Sequence, residues 1–265
     1  MKIGVCIRAR DEQKIICDWV RYYQNIGFDK IIIYDNMSSP SIKQTLEENN
    51  IYNVDISIDN INKSNQSSLY NECINNNKDL DWLLLCDADE FIYIREGNIK
   101  EFLNTFSDDT ATILINWIVF GTSENSTYDL NKTVFEQFIK RENYTHFWNR
   151  FIKSFIRPKL IEKIGNVHIT INTNYKTKNV YNDTIDHTML GQCHYIDKYL
   201  SNNTPVVIVH YMTLDFESML TKQIKNSKHF GWKVEENKYS LEWYNTPPYG
   251  FKDNCIDKRM LKYII

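Results

Sequence analysis

The stretch IGVCIRARDEQKIICDWVRYYQNIGFDKIIIYDN, residues 3–36, decides the fold. It opens with an apolar run, IGVCIR at 3–8, suited to a buried strand, followed by the polar loop ARDEQK. Ile16, Trp19, Val20 and Tyr23 then recur at three- and four-residue spacing, which places them on one face of a helix. Gly27 supplies a stop just past the last turn. DKIIIYDN reads as a second buried strand ending in polar residues. Strand–helix–strand is the βαβ unit, and it favours a parallel sheet.

Working outward, a second helix is expected around 41–49, a third strand at VDISI (54–58) and a helix over 66–77, with Leu69, Cys73 and Ile74 on one face. Further strands are expected at Trp82–Leu85, at ATILINWIVFG (111–121) and at VVIVHYM (206–212), with a helix over 214–230. The expected organisation is one domain over 1–235 with a C-terminal appendage over 236–265, which holds PPYG.

Composition narrows the function classes. With 42% hydrophobic and 14% aromatic residues the chain can fill a sizeable core. A net charge of -3 argues against a nucleic-acid partner, which needs a strongly basic face. The six dispersed cysteines form no CxxC pair, a pattern that suits reduced, buried thiols and a cytoplasmic location. No apolar run approaches the length of about 18 residues needed to span a bilayer, so no membrane span is expected.

The chemistry concentrates in DWLLLCDADEF (81–91), where an apolar strand runs into Asp87, Asp89 and Glu90. Open α/β sheets bind ligands beyond the carboxyl ends of their strands. Asp-x-Asp on a strand end places both carboxylates on one side, because side chains alternate along extended backbone, and there Asp87 and Asp89 can hold Mg²⁺ or Mn²⁺ and leave positions for diphosphate oxygens. The plain alternative, helix capping or solvation, would win for an isolated Asp-x-Asp; the apolar run before it and the βαβ unit upstream shift the balance. A dehalogenase-like phosphatase also uses Asp-x-Asp, but at its first strand and followed by Thr, whereas Glu-Phe follows here.

In this order, ARDEQKIICDWVRYYQNIGFDKIIIYDNMSS, QSSLYNECINNNKDLDWLLLCDADEFI, NWIVFG, KSFIRP and VHYM resemble glycosyltransferase family 92 and its relatives in the family 2 group. The resemblance implies an α/β fold of the GT-A (Rossmann-like) kind, a mixed, mostly parallel sheet flanked by helices, with a UDP-sugar donor, Mn²⁺ or Mg²⁺, and a glycan acceptor. By position it implies that Arg8, Glu12, Asp35 and Asn36 lie against the nucleoside and Gln66 near the ribose or sugar. It also implies that Asp87 contacts the donor, that Asp87 and Asp89 serve the metal with Asp89 the direct ligand, and that His210 of VHYM completes coordination. The chain departs from the family pattern at Tyr22-Tyr23, at Asp18 and at Val209, and the two helix departures are expected to affect packing.

Inverting transfer needs a carboxylate to take the acceptor's proton. Glu124 in GTSENS is the first candidate, with a solvated loop residue as the equally weighted alternative; Asp215 is second and Asp186 third. Trp117, Phe120, Phe147 and Trp148 are candidates for sugar stacking against a default of core packing. His168 reads as structural, and His187 with His194 lacks zinc-site spacing. The leading reading is a metal-dependent inverting hexosyltransferase, with UDP-galactose or UDP-glucose favoured by the resemblance. A silent glycan-binding module is the reading from another class, and a metal-dependent phosphatase ranks below it.

Overall fold

The computed structural model describes residues 1–59, 66–166, 169–171, 174–185, 200–230 and 255–264. The chain divides into two compact units, Met1–Trp117 with Asn149–Ile208, and Ile118–Trp148 with Val209–Ile265. Asp186, His168, His187 and His194 lie outside the described residues.

The first unit begins with β1 (Ile3–Ala9), α1 (Ile16–Asn25), β2 (Lys30–Asp35), α2 (Ile42–Glu48), β3 (Asp55–Ile58), α3 (Gln66–Asn76), β4 (Trp82–Cys86), β5 (Glu90–Ile94) and α4 (Ile99–Leu103). Strand β6 (Thr110–Val119) passes out into the second unit, which holds α5 (Val134–Gln137) and β7 (Lys140–Arg141). The chain re-enters the first unit for β8 (Ile152–Ile156), β9 (Lys163–Asn166), β10 (Ile169–Ile171) and β11 (Lys176–Asn179), and leaves it again along β12 (Val206–His210). Helix α6 (Phe216–Phe230) and β13 (Cys255–Ile256) also belong to the second unit.

The main sheet runs β3-β2-β1-β4-β8-β6-β12-β5, with β11 beside β6. β1 is parallel to β2 and β4, and β2 to β3; β8 runs antiparallel to both β4 and β6. The expected α/β class and the mixed, mostly parallel sheet are therefore present. Strands β4 and β6 are buried along their whole length, as a sheet covered on both faces requires.

Helix α1 ends as its sequence directs. Gly27 sits at φ +94°, Phe28 N–H reaches the Tyr23 carbonyl (3.1 Å) and Gly27 N–H the Gln24 carbonyl (3.3 Å), the Schellman pattern. The Phe28 ring packs on the Tyr23 ring at 4.9 Å and seals the turn. The buried face of α1 also closes the sheet edge. Trp19 Nε1 and the Tyr23 hydroxyl donate to the Glu90 carbonyl, and the Tyr22 hydroxyl donates to that of Ile92. These bonds satisfy backbone acceptors on β5, the last strand in the sheet order. Tyr22 and Tyr23, the departure from the family pattern, thus hold β5 in place.

In the second unit, β13 pairs antiparallel with β7, Ile256 opposite Lys140. Asp257 accepts from Arg141 Nε (2.5 Å) and from Arg259 Nη2 (2.7 Å), and Arg259 donates on to the Tyr144 hydroxyl (2.7 Å). Burial alone would raise the Asp257 pKa, but Arg259 and Arg141 outweigh it and hold the carboxyl below its ordinary range. The 255–259 segment of the expected appendage is thereby fastened to β7. No helix among the described residues is long and apolar enough to cross a membrane.

Candidate active site

At the carboxyl ends of β1, β2 and β3, short polar loops are stitched to one another. Asp35 is 4% exposed; its two oxygens accept from Ser38 N–H and Ile42 N–H, both at 2.9 Å, so it shapes the turn into α2. The Asp11 N–H donates to Ser38 Oγ and the Ser39 N–H to Asp11 Oδ1, which ties the loop after β1 to the loop after β2. The Glu12 carbonyl accepts from Ile15 and Ile16 at the start of α1. Arg8 Nε pairs with Asp59 Oδ2 at 2.6 Å, and the Asn36 amide donates to the same carboxylate at 3.2 Å. Arg8, Glu12, Asp35 and Asn36 therefore share one end of the sheet.

Asp59 was not anticipated. It follows β3 directly, and its signal was the polar residue closing the VDISI run, the same strand-then-carboxylate pattern read at Asp87. Its side chain is only 2% exposed, and it organises both Arg8 and Asn36.

Gln66 opens α3, the helix that also carries Tyr70, whose hydroxyl donates to the Cys86 carbonyl at 3.3 Å. That contact ends at the residue before Asp87.

The Asp-x-Asp segment itself corrects the sequence reading. β4 ends at Cys86, and Asp87-Ala88-Asp89 form a turn into β5. The Glu90 N–H closes that turn on the Asp87 carbonyl (3.2 Å), and Glu90 Oε2 accepts the Asp87 N–H (2.9 Å). Strand alternation therefore does not orient the two carboxylates; a turn clamped by a fully buried Glu90 does. The Asp87 side chain is 38% exposed and Asp89 is 5% exposed.

Lys153 of β8 lies beneath this turn. It is 1% exposed, with Nζ at 2.6 Å from Asp87 Oδ2 and 3.4 Å from Glu90 Oε2. Burial alone would lower the lysine's pKa, but Asp87 and Glu90 outweigh it and keep the ammonium protonated. Trp117, stacked on Phe151 with ring centroids 5.1 Å apart, lies 5.8 Å from that ammonium. Within KSFIRP the physical signal for this residue is a lysine that, with Ser154, interrupts an apolar run.

The donor set at the turn fits a hard divalent cation, being all carboxylate oxygen with one side chain open to solvent. Among the described residues no three His, Cys, Asp or Glu side chains form a metal cage by themselves. Mg²⁺-type ions are commonly held by one or two carboxylates with substrate phosphates supplying the rest.

In the second unit, Glu124 is 77% exposed and pairs with Lys140 Nζ at 2.8 Å. Ser123 and Glu124 are both left-handed, at φ +52° and +68°, a conformation that costs energy in non-glycine residues. Thr122 Oγ1 accepts the Glu124 N–H, and Ser123 Oγ accepts the Lys140 N–H. The downstream loop is held by Gln137, whose amide donates to the Asp129 and Lys132 carbonyls. Asp215 is 0% exposed and caps α6, accepting the Ser218 N–H at 3.0 Å and the Ser218 hydroxyl. His210 is 6% exposed, and its carbonyl accepts the Phe120 N–H. Of the aromatic candidates, Trp117 and Phe120 are core residues, whereas Phe147 is 50% exposed with Trp148 edge-on to it.

The sequence model of glycosyltransferase family 92 matches residues 1–239. Two family 92 proteins share stretches with the chain: one from Ricinus communis, 22% identical over 139 residues, and one from Oryza sativa subsp. japonica, 26% identical over 107. Those stretches cover 52% and 39% of this chain but only 23% and 18% of the relatives, so the chain spans about a quarter or less of the proteins it matches. Among solved structures, S. aureus TarS 1–349 overlays with a TM-score of 0.37 at 15% identity, covering 60% of this chain and 48% of that one.

Proposed function

We propose, from the premise that the chain belongs to glycosyltransferase family 92, that this glycosyltransferase moves a hexose from a UDP-sugar to a glycan hydroxyl with inversion at the anomeric carbon. UDP-galactose and UDP-glucose are the favoured donors. The observation that carries the reading is the carboxylate turn Asp87–Glu90, set at the carboxyl end of a buried strand and beside the polar cluster of Arg8, Asn36 and Asp59.

In this reading the loops after β1, β2 and β3 receive the nucleoside. Arg8 and Asn36, both oriented by Asp59, offer donors, while Asp35 shapes the loop through backbone bonds. Gln66 orients the ribose or sugar. Asp89 is the principal ligand of Mn²⁺ or Mg²⁺, Asp87 lies beside the diphosphate, and His210 belongs to the ligand set. Such a cation supplies charge neutralisation for a departing diphosphate. Glu124 takes the proton from the acceptor hydroxyl. It is preferred to Asp215 because its carboxylate is open to solvent while Asp215 is buried and engaged as a helix cap. A residue held in left-handed backbone is also a frequent sign of a functional loop. Phe147 and Trp148 offer an aromatic face to a sugar ring.

The test is titration calorimetry of UDP with Mn²⁺ and with chelator, on wild type and Asp89→Ala. Metal-dependent binding of UDP that the substitution abolishes is expected. Absence of any UDP binding by the wild type rejects the donor assignment and favours the silent glycan-binding module.

A further inference from the structure

Asp87, Asp89 and Glu90 belong to the β4–β5 turn, and two of them, Asp87 and Glu90, are already paired with a cation that belongs to the chain. Lys153 enters from β8, whose register (Lys153 opposite Ile115, Ser154 opposite Leu85) aims its side chain beneath the turn. Its ammonium lies 2.6 Å from Asp87 Oδ2 and 3.4 Å from Glu90 Oε2, at 1% exposure. A lysine buried this deeply cannot leave for solvent without dragging the turn with it, because Glu90 Oε2 also holds the Asp87 N–H. The ammonium is a compact point charge. It takes up the oxygen of Asp87 that a metal would otherwise find on that side.

Resting on the donor reading above, we infer that Lys153 is a built-in counter-ion that satisfies Asp87 before any metal arrives, so that a divalent cation is taken effectively only together with the donor's diphosphate. Asp89 is then the chain's main direct ligand and Asp87 is a positioned neighbour. Metal and nucleotide binding become strongly coupled, each raising the other's affinity by the same factor. Lys153 is a positioning residue in this scheme; it fixes the turn and offsets part of the negative field that would draw a free cation. The loss of a positive charge a few ångströms from a cation site raises cation affinity on the order of tenfold or more, even at an effective dielectric constant of about 20.

The experiment is Mn²⁺ binding followed by electron paramagnetic resonance, with and without UDP, on wild type, Lys153→Met and Lys153→Arg. The wild type is expected to bind Mn²⁺ alone at least about tenfold more weakly than Mn²⁺ with UDP, within the usual range of coupling. Lys153→Met is expected to bind Mn²⁺ alone about tenfold more tightly than wild type. Lys153→Arg keeps the charge and is expected to stay near wild type, whereas a purely steric role would put both variants on the same side. Equal Mn²⁺ affinity with and without UDP in the wild type overturns the inference, and so does unchanged or weaker Mn²⁺ binding by folded Lys153→Met. Should Lys153→Met not fold, the wild-type comparison decides alone. A wild type that binds no Mn²⁺ even with UDP overturns the donor reading itself, a result distinct from either of the others.

Discussion

Replacing Asp35 by Ala probes how the nucleoside end of the sheet is built. The carboxylate is 4% exposed and accepts two backbone N–H bonds at 2.9 Å, from Ser38 and from Ile42 at the start of α2. An alanine leaves both donors without that partner. A buried donor left unsatisfied costs about 1–3 kcal/mol, and bonds to a charged group fall in the upper part of that scale. The Ile42 bond is buried and counts nearly in full, while the Ser38 bond is part-buried and counts less. The expected loss is about 3 kcal/mol. At roughly 2–4 °C per kcal/mol for a chain of this size, the thermal midpoint falls by about 6–12 °C. Calorimetry and urea unfolding of the purified variant measure both quantities. Weaker UDP binding should accompany the loss, because the loop carrying Asn36 starts at this residue. A variant within about 1 kcal/mol of wild type would refute the argument that Asp35 holds the β2–α2 loop.

Glu124→Gln is expected to lower kcat by about 10²–10⁴ with UDP affinity retained, as steady-state kinetics beside calorimetry would show. Tyr23→Phe removes a hydroxyl that donates to Glu90 and accepts from Ile92, and should cost about 1–3 kcal/mol in urea unfolding. Asp257 gives a pH dependence. Its folded pKa lies below its unfolded value of about 3.9, so its contribution is complete above that pH and is lost as pH falls toward the folded value. Acid titration of the wild type should therefore show stability falling below about pH 4. Asp257→Asn should be destabilised at pH 7 by about 3–5 kcal/mol, with a flatter acid slope.

Much of the fold could be read from periodicity. The elements from β1 through β4, together with β6, β12 and α6, match the stretches where apolar residues run together or recur at helical spacing. Strand β5 was missed because it begins inside the acidic cluster, at Glu90, whose side chain is buried by its clamp on Asp87 and not by apolar character. Strand β8 was missed because Lys153 and Ser154 interrupt its apolar pattern; only the pairing with β4 and β6 shows why a charged residue is tolerated there. At the site, strand ends identified the positions of Asp35 and Asp87, but not their roles. Asp35 serves the backbone, and Asp87 is paired with a lysine 66 residues away in sequence, a contact that no local pattern encodes.

The most direct test of the account is transfer of labelled hexose from UDP-galactose and UDP-glucose to a panel of glycan acceptors, with the product's anomeric configuration read by NMR. The account predicts a chelator-sensitive product whose configuration is inverted relative to the donor. Retained configuration, or transfer indifferent to chelator, would contradict it.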